Sequence, residues 1–238
     1  MPNQSELKTI NELLSSMSLS ERLAWIAENS EKPVYTTSLA REGQFIIWNL
    51  ATKNIPIEII TWQTGRLFPE TLSLLNITQE RYGIKIRQVE PDTEAVDGFI
   101  REHGRDGFYN SLEARKACCS VRKNNPLNNE LAEADAWITG LNREHSIGRE
   151  KTPLAEWSSA HNLMKFNPLA DISLKEINEA IVAHEIPINP LHDRGYTSIG
   201  CEPCTRATKP GEHPRAGRWW WEQGDSSECG IHTEKTAA

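Results

Sequence analysis

Val34-Tyr35-Thr36-Thr37-Ser38-Leu39-Ala40-Arg41-Glu42-Gly43, running on into residues 44–52, is the stretch on which the fold turns. Its first four residues are β-prone, the next six make a polar turn, and 44–52 reads as a helix. The same alternation continues outward. Ile57 to Trp62 is a second apolar run bounded by turn signals, and 69–81 reads as a helix with Pro69 in its first turn. Residues 84–89 alternate as a strand does, and Ala136-Trp137-Ile138-Thr139-Gly140 is a fourth strand candidate. Strands alternating with helices predict an α/β fold, a mostly parallel sheet flanked by helices. Ligands of such sheets bind beyond the carboxyl ends of the strands. Three loops fall there: 37–43, Thr64-Gly65-Arg66-Leu67 and Gly140-Leu141-Asn142-Arg143.

Upstream, Leu7, Ile10, Leu13 and Leu14, then Leu19, Leu23 and Ile26, recur at helical spacing, with Ser20-Glu21-Arg22 opening the second helix. This segment, 1–30, is expected to serve packing or oligomerisation. Downstream, the regular alternation fades after 150. One more amphipathic helix runs from Leu174 to His184, capped by Ser173. Beyond Pro187 the chain is dense in Pro, Gly, Trp, Arg and Cys, a cysteine-rich C-terminal segment that a hydrophobic core alone does not hold. The expected division is 1–30, a nucleotide-binding α/β domain at 31–210, and a C-terminal segment at 211–238.

The whole is 238 residues with a net charge of −7, 38% hydrophobic and 25% charged. That is an ordinary globular composition, and it argues against nucleic-acid binding through bulk charge. No run approaches the length of a membrane-spanning helix. The first six residues show neither a basic n-region nor an apolar h-region, so a cytoplasmic location is expected.

Five cysteines are clustered: Cys118-Cys119, Cys201-x-x-Cys204, and Cys229 alone. In a chain of this size without an export signal, metal binding or thiol chemistry is favoured over disulfides. Four thiolates brought together suit Zn²⁺ or an iron–sulfur cluster. Adjacent cysteines chelate one small tetrahedral ion poorly and ligate two irons of a cube more readily, which favours the cluster. Cys229 sits in Glu228-Cys229-Gly230-Ile231-His232, surroundings that suggest an exposed, mobile tail. Such a thiol is a candidate nucleophile, or a spare surface cysteine.

Four blocks carry a resemblance: Lys116 to Lys123 with Pro126-Leu127; Gly200-Cys201-Glu202-Pro203-Cys204-Thr205; Arg215-Ala216-Gly217-Arg218-Trp219-Trp220-Trp221-Glu222; and the Glu228–His232 tail. Thr64-Gly65-Arg66-Leu67-Phe68-Pro69-Glu70-Thr71 is a fifth, shared with cluster-free relatives. From about residue 33 onward the chain resembles the assimilatory adenylyl-sulfate reductases, the iron–sulfur branch of the adenylyl-/phosphoadenylyl-sulfate reductase family, with an adenine nucleotide alpha-hydrolase-like fold.

The resemblance implies reduction of adenosine 5′-phosphosulfate to sulfite and AMP, with thioredoxin or a glutaredoxin-like dithiol as donor. Cys229 would attack the sulfate sulfur and carry an S-sulfocysteine. Cys118, Cys119, Cys201 and Cys204 would ligate a [4Fe–4S] cluster, and the enzyme would be a homo-oligomer. Lys123, Arg215 and Arg218 would offset the substrate's charge, joined by Arg143 and Arg149 of a Gly-Leu-x-Arg-x-x-Ser region. The 37–43 turn would be a modified phosphate loop containing Ser38, and Thr64, Gly65 and Arg66 would contact substrate.

The Trp219-Trp220-Trp221 run is read as a wedge against the sheet rather than a stacking platform, and His192 and His232 as structural or surface residues. Gln63, Asn142 and Gly43 stand where the family usually has Asp, Arg and an acidic residue. Each removes a charge near the expected nucleotide pocket, so affinity and nucleotide preference are open while the reaction type is not. The competing readings are a 3′-phosphoadenylyl-sulfate or dual-substrate reductase and a zinc-binding interaction protein with a structural site of four cysteines. An adenylating enzyme would need a Ser-Gly-Gly-x-Asp-Ser loop, which is missing here.

Overall fold

The computed structural model describes residues 1–145 and 149–222. The chain forms two compact units: Met1–Thr61, Leu74–Arg87 and Leu131–Ile188 make the first, and Trp62–Ser73, Gln88–Glu130 and the chain from Asn189 make the second.

The first unit is built on a sheet of order β3-β2-β1-β4-β6-β5. The strands are β1 (Pro33–Thr37), β2 (Glu58–Trp62), β3 (Ile86–Val89), β4 (Ala136–Ile138), β5 (Ala155–Ser158) and β6 (Leu163–Phe166). β1 pairs in parallel with β2 and β4, and β4 with β6; β5 runs antiparallel to β6. β1 is buried at all five positions and β4 at all three, as strands covered on both faces must be. The C-terminal residues of β2 and β3 are counted with the second unit.

The helices of this unit are α1 (Gln4–Ser15), α2 (Leu19–Glu28), α3 (Arg41–Thr52), most of α4 (Pro69–Tyr82) and α8 (Leu174–Ala183). α1, α2 and α8 each open with a reciprocal capping box, Asn3 with Glu6, Ser18 with Glu21, and Ser173 with Glu176. Leu14, Leu19, Leu23 and Ile26 enter the same buried cluster as Tyr35, Ile46, Ile138 and Phe166, so the two N-terminal helices are part of this core.

Three expectations need correction. α2 opens at Ser18, two residues before Ser20, because Glu21 is placed to reach back to the Ser18 backbone. α3 begins at Arg41 rather than Gln44, so the last three residues of the supposed turn are its first turn. The alternation does not end at 150: β5 and β6 add an edge hairpin. Its pattern is hidden by Lys165, which is buried in β6, pairs across the register with Glu156 at 2.8 Å and lies over the Trp137 ring.

The second unit carries α5 (Thr93–His103), α6 (Leu112–Cys119) and most of α7 (Asn125–Leu131), capped at Asp92 for α5 and Ser111 for α6. A π-helical turn, Ser120–Asn124, joins α6 to α7. α5 and α6 escape a periodicity reading because their buried positions are few, Phe99 in α5 and Ala114, Arg115 and Cys119 in α6, and one of them is charged. Among the described residues no helix is long and apolar enough to cross a membrane.

Candidate functional site

α6 ends on the cysteine pair, Cys119 buried and Cys118 half-buried. The π-helical turn that follows inserts an extra residue per turn, a departure common where side chains must be re-aimed at a site. It carries Arg122 and Lys123. The second cysteine pair lies on a short 3₁₀ turn, Glu202–Cys204, that Pro203 makes compact. Cys204 N–H donates to Cys201 O at 3.0 Å, and the Thr205 hydroxyl donates to the same carbonyl at 2.8 Å.

The Thr64–Leu67 loop is clasped to that turn. Glu202 N–H donates to Arg66 O at 2.7 Å, and Leu67 bridges to Cys201. The Thr64 hydroxyl is 3.3 Å from Cys201 Sγ. Gly65 has φ 69°, the left-handed region where glycine is favoured, and Arg122 donates from its guanidinium to Thr64 O at 2.7 Å.

The structure thus brings Cys118, Cys119, Cys201 and Cys204 to one pocket, walled also by Arg66, Arg122, Lys123 and Phe108. Its electrostatics divide the thiols. Burial pushes Cys204 up to about 12, with Cys201 and Cys119 adding to the rise. Burial also raises Cys118, against the pull of Arg122. Burial acts in the same sense on Cys201, but Lys123, the Thr64 hydroxyl, Arg218 and Arg122 outweigh it and hold that thiol below its ordinary range.

Arg218 packs flat on Gly200, where a Cβ would come within 2.2 Å of its guanidinium. The guanidinium also lies 4.7 Å from the centre of the Trp219 ring, with Arg115 at 4.5 Å and Arg215 at 6.0 Å. Arg66 pairs with Asp106 at 2.8 Å. The tryptophan run is a wedge, but not against the sheet. Trp219 is buried with Phe99, Phe108 and Cys204, and Trp221 packs edge-on to Tyr109 at 4.4 Å. Helix-side aromatic rings offer that interlocking surface. His192 donates from Nδ1 to Tyr196 O at 2.7 Å, within its own turn, in keeping with a structural role.

Four soft sulfur donors on one pocket wall form a donor set suited to an iron–sulfur cluster or zinc. Arg218 Nε and Trp219 Nε1 are buried without a hydrogen-bond partner, two N–H groups that sulfur acceptors would satisfy. Among the described residues no group of three or more His, Cys, Asp or Glu side chains is gathered as for a metal ion. The donor set and the orphaned N–H groups fit a cluster.

Ser38, Arg143 and Arg149 belong to the first unit. Ser38 is exposed directly after β1; Leu39 follows at φ 59°, its N–H tied to Thr37 Oγ1 at 3.0 Å. Ala40 gives α3 no side-chain cap, unlike α1, α2 and α8. Arg143 holds Thr152 O through Nε at 2.8 Å, and Arg149 is half-buried in a short turn.

The three departures all have local structural partners. Asn142 is fully buried, donates to Leu169 O and Ile172 O, and accepts from Glu144 N–H, a combination arginine lacks. A Cβ on Gly43 would meet Thr37 Oγ1 at 2.5 Å. Gln63 accepts from Gly65 N–H at 3.1 Å, as an aspartate could. Sequence reasoning missed Arg115, Arg122, Glu222 and Phe108. The first two lie within four residues of the cysteine pair, and that proximity was their signal. Cys229 and His232, with the 228–232 block, and Ser146 of the Gly-Leu-x-Arg-x-x-Ser region lie outside the described residues.

Against known proteins, the phosphoadenosine phosphosulfate reductase domain matches residues 32–207. The chain is 47% identical to adenosine 5′-phosphosulfate reductase of Agrobacterium fabrum over 228 residues, covering 96% of this chain and 88% of that one. It is 48% identical to the enzyme of that name from Rhizobium meliloti, covering 96% and 86%. The crystal structure of phosphoadenylyl-sulfate (PAPS) reductase from Candida auris, in a phosphate complex, has the same fold, with TM-score 0.74 and 23% identity over 85% of this chain and 97% of that one. With a domain match across the sheet and the cysteine pocket, and near-full-length identity approaching one residue in two, the chain belongs to the phosphoadenosine phosphosulfate reductase family.

Proposed function

We propose that the protein reduces adenosine 5′-phosphosulfate to sulfite and AMP in assimilatory sulfate reduction, in the cytoplasm and as a homo-oligomer. The observation that carries the reading is the convergence of four thiols with Lys123, Arg122 and Arg66 on one pocket, in a chain whose relatives bear that enzyme's name. Cys118, Cys119, Cys201 and Cys204 would hold a [4Fe–4S] cluster, which when bound supplies a fixed, dry cross-link and a local charge beside the substrate site.

The chain's own residues supply the rest. Cys229 is the nucleophile. Its thiolate attacks the sulfuryl sulfur, the bond from that sulfur to the phosphate oxygen breaks, and AMP leaves as a good anion. The product on the protein is an S-sulfocysteine. A dithiol donor, thioredoxin or a glutaredoxin-like protein, then attacks Cys229 Sγ and expels sulfite. Its second thiol closes the disulfide and frees Cys229, so the two electrons come from the dithiol.

Lys123, Arg215 and Arg218 offset the negative charge that thiolate and substrate bring together. Arg143, Arg149, Thr64, Gly65 and Arg66 complete the substrate contacts. The 38–41 turn, leading into a helix without a side-chain cap, offers backbone N–H groups to the phosphate.

The test is dithiol-dependent sulfite release by anaerobically purified protein, with adenosine 5′-phosphosulfate and its 3′-phospho form side by side. Faster release from the unphosphorylated nucleotide is expected. Preference for the 3′-phospho form would overturn the substrate, and no release from either would overturn the reaction.

A further inference from the structure

Arg115 is the most deeply buried charged side chain of the second unit, fully inaccessible within α6. Its guanidinium grips Glu222 with two bonds, Nε to Oε1 at 2.7 Å and NH2 to Oε2 at 2.9 Å. Its face lies 4.5 Å from the centre of the Trp219 ring, and it also hydrogen-bonds Cys119, four residues on along the same helix. Glu222 is itself nearly buried, and its backbone N–H closes a turn onto Trp219 O at 2.9 Å. Trp219 in turn donates from its backbone to Cys204 O at 3.2 Å. The segment that ends at Glu222 is therefore held at three successive points around the cysteine pocket.

A buried ion pair is a poor way to gain stability, since well-packed apolar residues do as well or better. What a bidentate Arg–carboxylate pair supplies is a single geometry. Here it supplies that geometry seven residues before Cys229. Seven residues of extended chain span at most about 25 Å, so the position of Glu222 bounds where Cys229 can go.

We propose that the Arg115–Glu222 pair is the anchor from which the Cys229-bearing segment starts, and that both are positioning residues for sulfur transfer. The proposal rests on the reading of Cys229 as nucleophile.

The experiment uses full-length, iron-loaded protein and adenosine 5′-phosphosulfate without a dithiol donor. It follows S-sulfo adduct formation on Cys229 by intact mass in a single turnover. The variants are the double replacement Arg115→Leu/Glu222→Leu, which leaves no buried charge unpaired, and Glu222→Gln, which keeps the shape. Iron content and visible spectrum are expected to stay near those of the parent; the melting temperature is expected to stay near it in the double variant and to fall in Glu222→Gln, which leaves Arg115 without its counter-charge. The adduct rate is expected to fall about 10- to 100-fold, with little change in the substrate concentration that half-saturates it. Glu222→Asp should recover part of the rate.

Adduct formation at the parent's rate in Glu222→Gln and in the double variant would overturn the anchor. If the double variant loses iron, Glu222→Gln alone decides. A parent that forms no adduct on Cys229, or a Cys229→Ser variant that still does, would instead sink the nucleophile reading and the anchor with it.

Discussion

Among the described residues, the sheet-bearing unit buries twenty-four side chains in one mostly aliphatic cluster, from Leu14 in α1 to Ile186 beyond α8. Among the described residues, the cysteine-bearing unit buries four in its own cluster: Phe99, Phe108, Cys204 and Trp219. Around those four it places what a hydrophobic core normally excludes, namely Arg115 paired with Glu222, Arg122 on a loop carbonyl, and three arginines ranged over one indole. The first unit rests mainly on apolar burial, with Arg22 and Lys165, each paired to a carboxylate, as its buried cations. The second depends on specific polar geometry around its buried arginines and thiols. The lesson is a division of labour: rigidity comes from apolar area, and reactivity from charges and thiols kept where only explicit partners can hold them.

That contrast can be broken in order of expected effect. Cys229→Ser should reduce sulfite release to background while the iron content and visible spectrum stay unchanged; loss of colour would make Cys229 a ligand and redraw the second unit. Lys123→Ala should lower kcat/KM by about 10²- to 10³-fold, the scale of one charge aimed at a transition state in a dry site. A near-normal value would remove Lys123 from the chemistry. Stripping iron with a chelator should disturb the near-ultraviolet tryptophan signal of the second unit at a temperature where the far-ultraviolet helix signal persists, because ligand binding there is coupled to folding. Simultaneous loss of both signals would show that the two units do not differ as described.

Ile47→Ala, at a fully buried position of α3, should cost about 2–5 kcal/mol of stability with iron content intact. A smaller loss would mean that the first core is loosely packed. The mildest effect concerns Glu212, held from its ordinary 4.5 down to about 2 chiefly by its hydrogen bond to Arg206. Its folded-state value is depressed, so its contribution is complete above 4.5 and is lost as the pH falls towards 2. Glu212→Gln should flatten the acid limb of stability in that window only, and by a small amount because water still reaches both partners of this half-buried pair. An unchanged acid limb would leave this pair without energetic weight.

The doubly covered strands were legible because β1 is a β-prone run, β4 is apolar at successive positions, and polar turns punctuate both. The α8 boundary was legible because Ser173 and Glu176 are a sequence-level capping signature. The β5–β6 hairpin was not, because a buried lysine inside a four-residue strand reads as a surface residue until its partner Glu156, nine residues earlier, is known to sit across the register. α6 shows the same failure: Arg115 looks like the solvent side of a helix, yet its partner lies 107 residues away. The three departures from the family pattern looked like missing charges, whereas Asn142 and Gly43 answer to a carbonyl pair and a threonine hydroxyl that no linear reading places beside them.

By itself, then, the sequence determined the parallel α/β layout, the two cysteine pairs and the family, because periodicity, turn chemistry and short motifs are local along the chain. Tertiary structure decided that the two cysteine pairs, 82 or more residues apart, share one pocket, and that Thr64 faces Cys201. It also decided that Arg115 is buried against Glu222 rather than solvated. The reason is physical: the energy of a buried charge or thiol is set by what lies within a few ångströms of it, and only the folded chain brings those neighbours together.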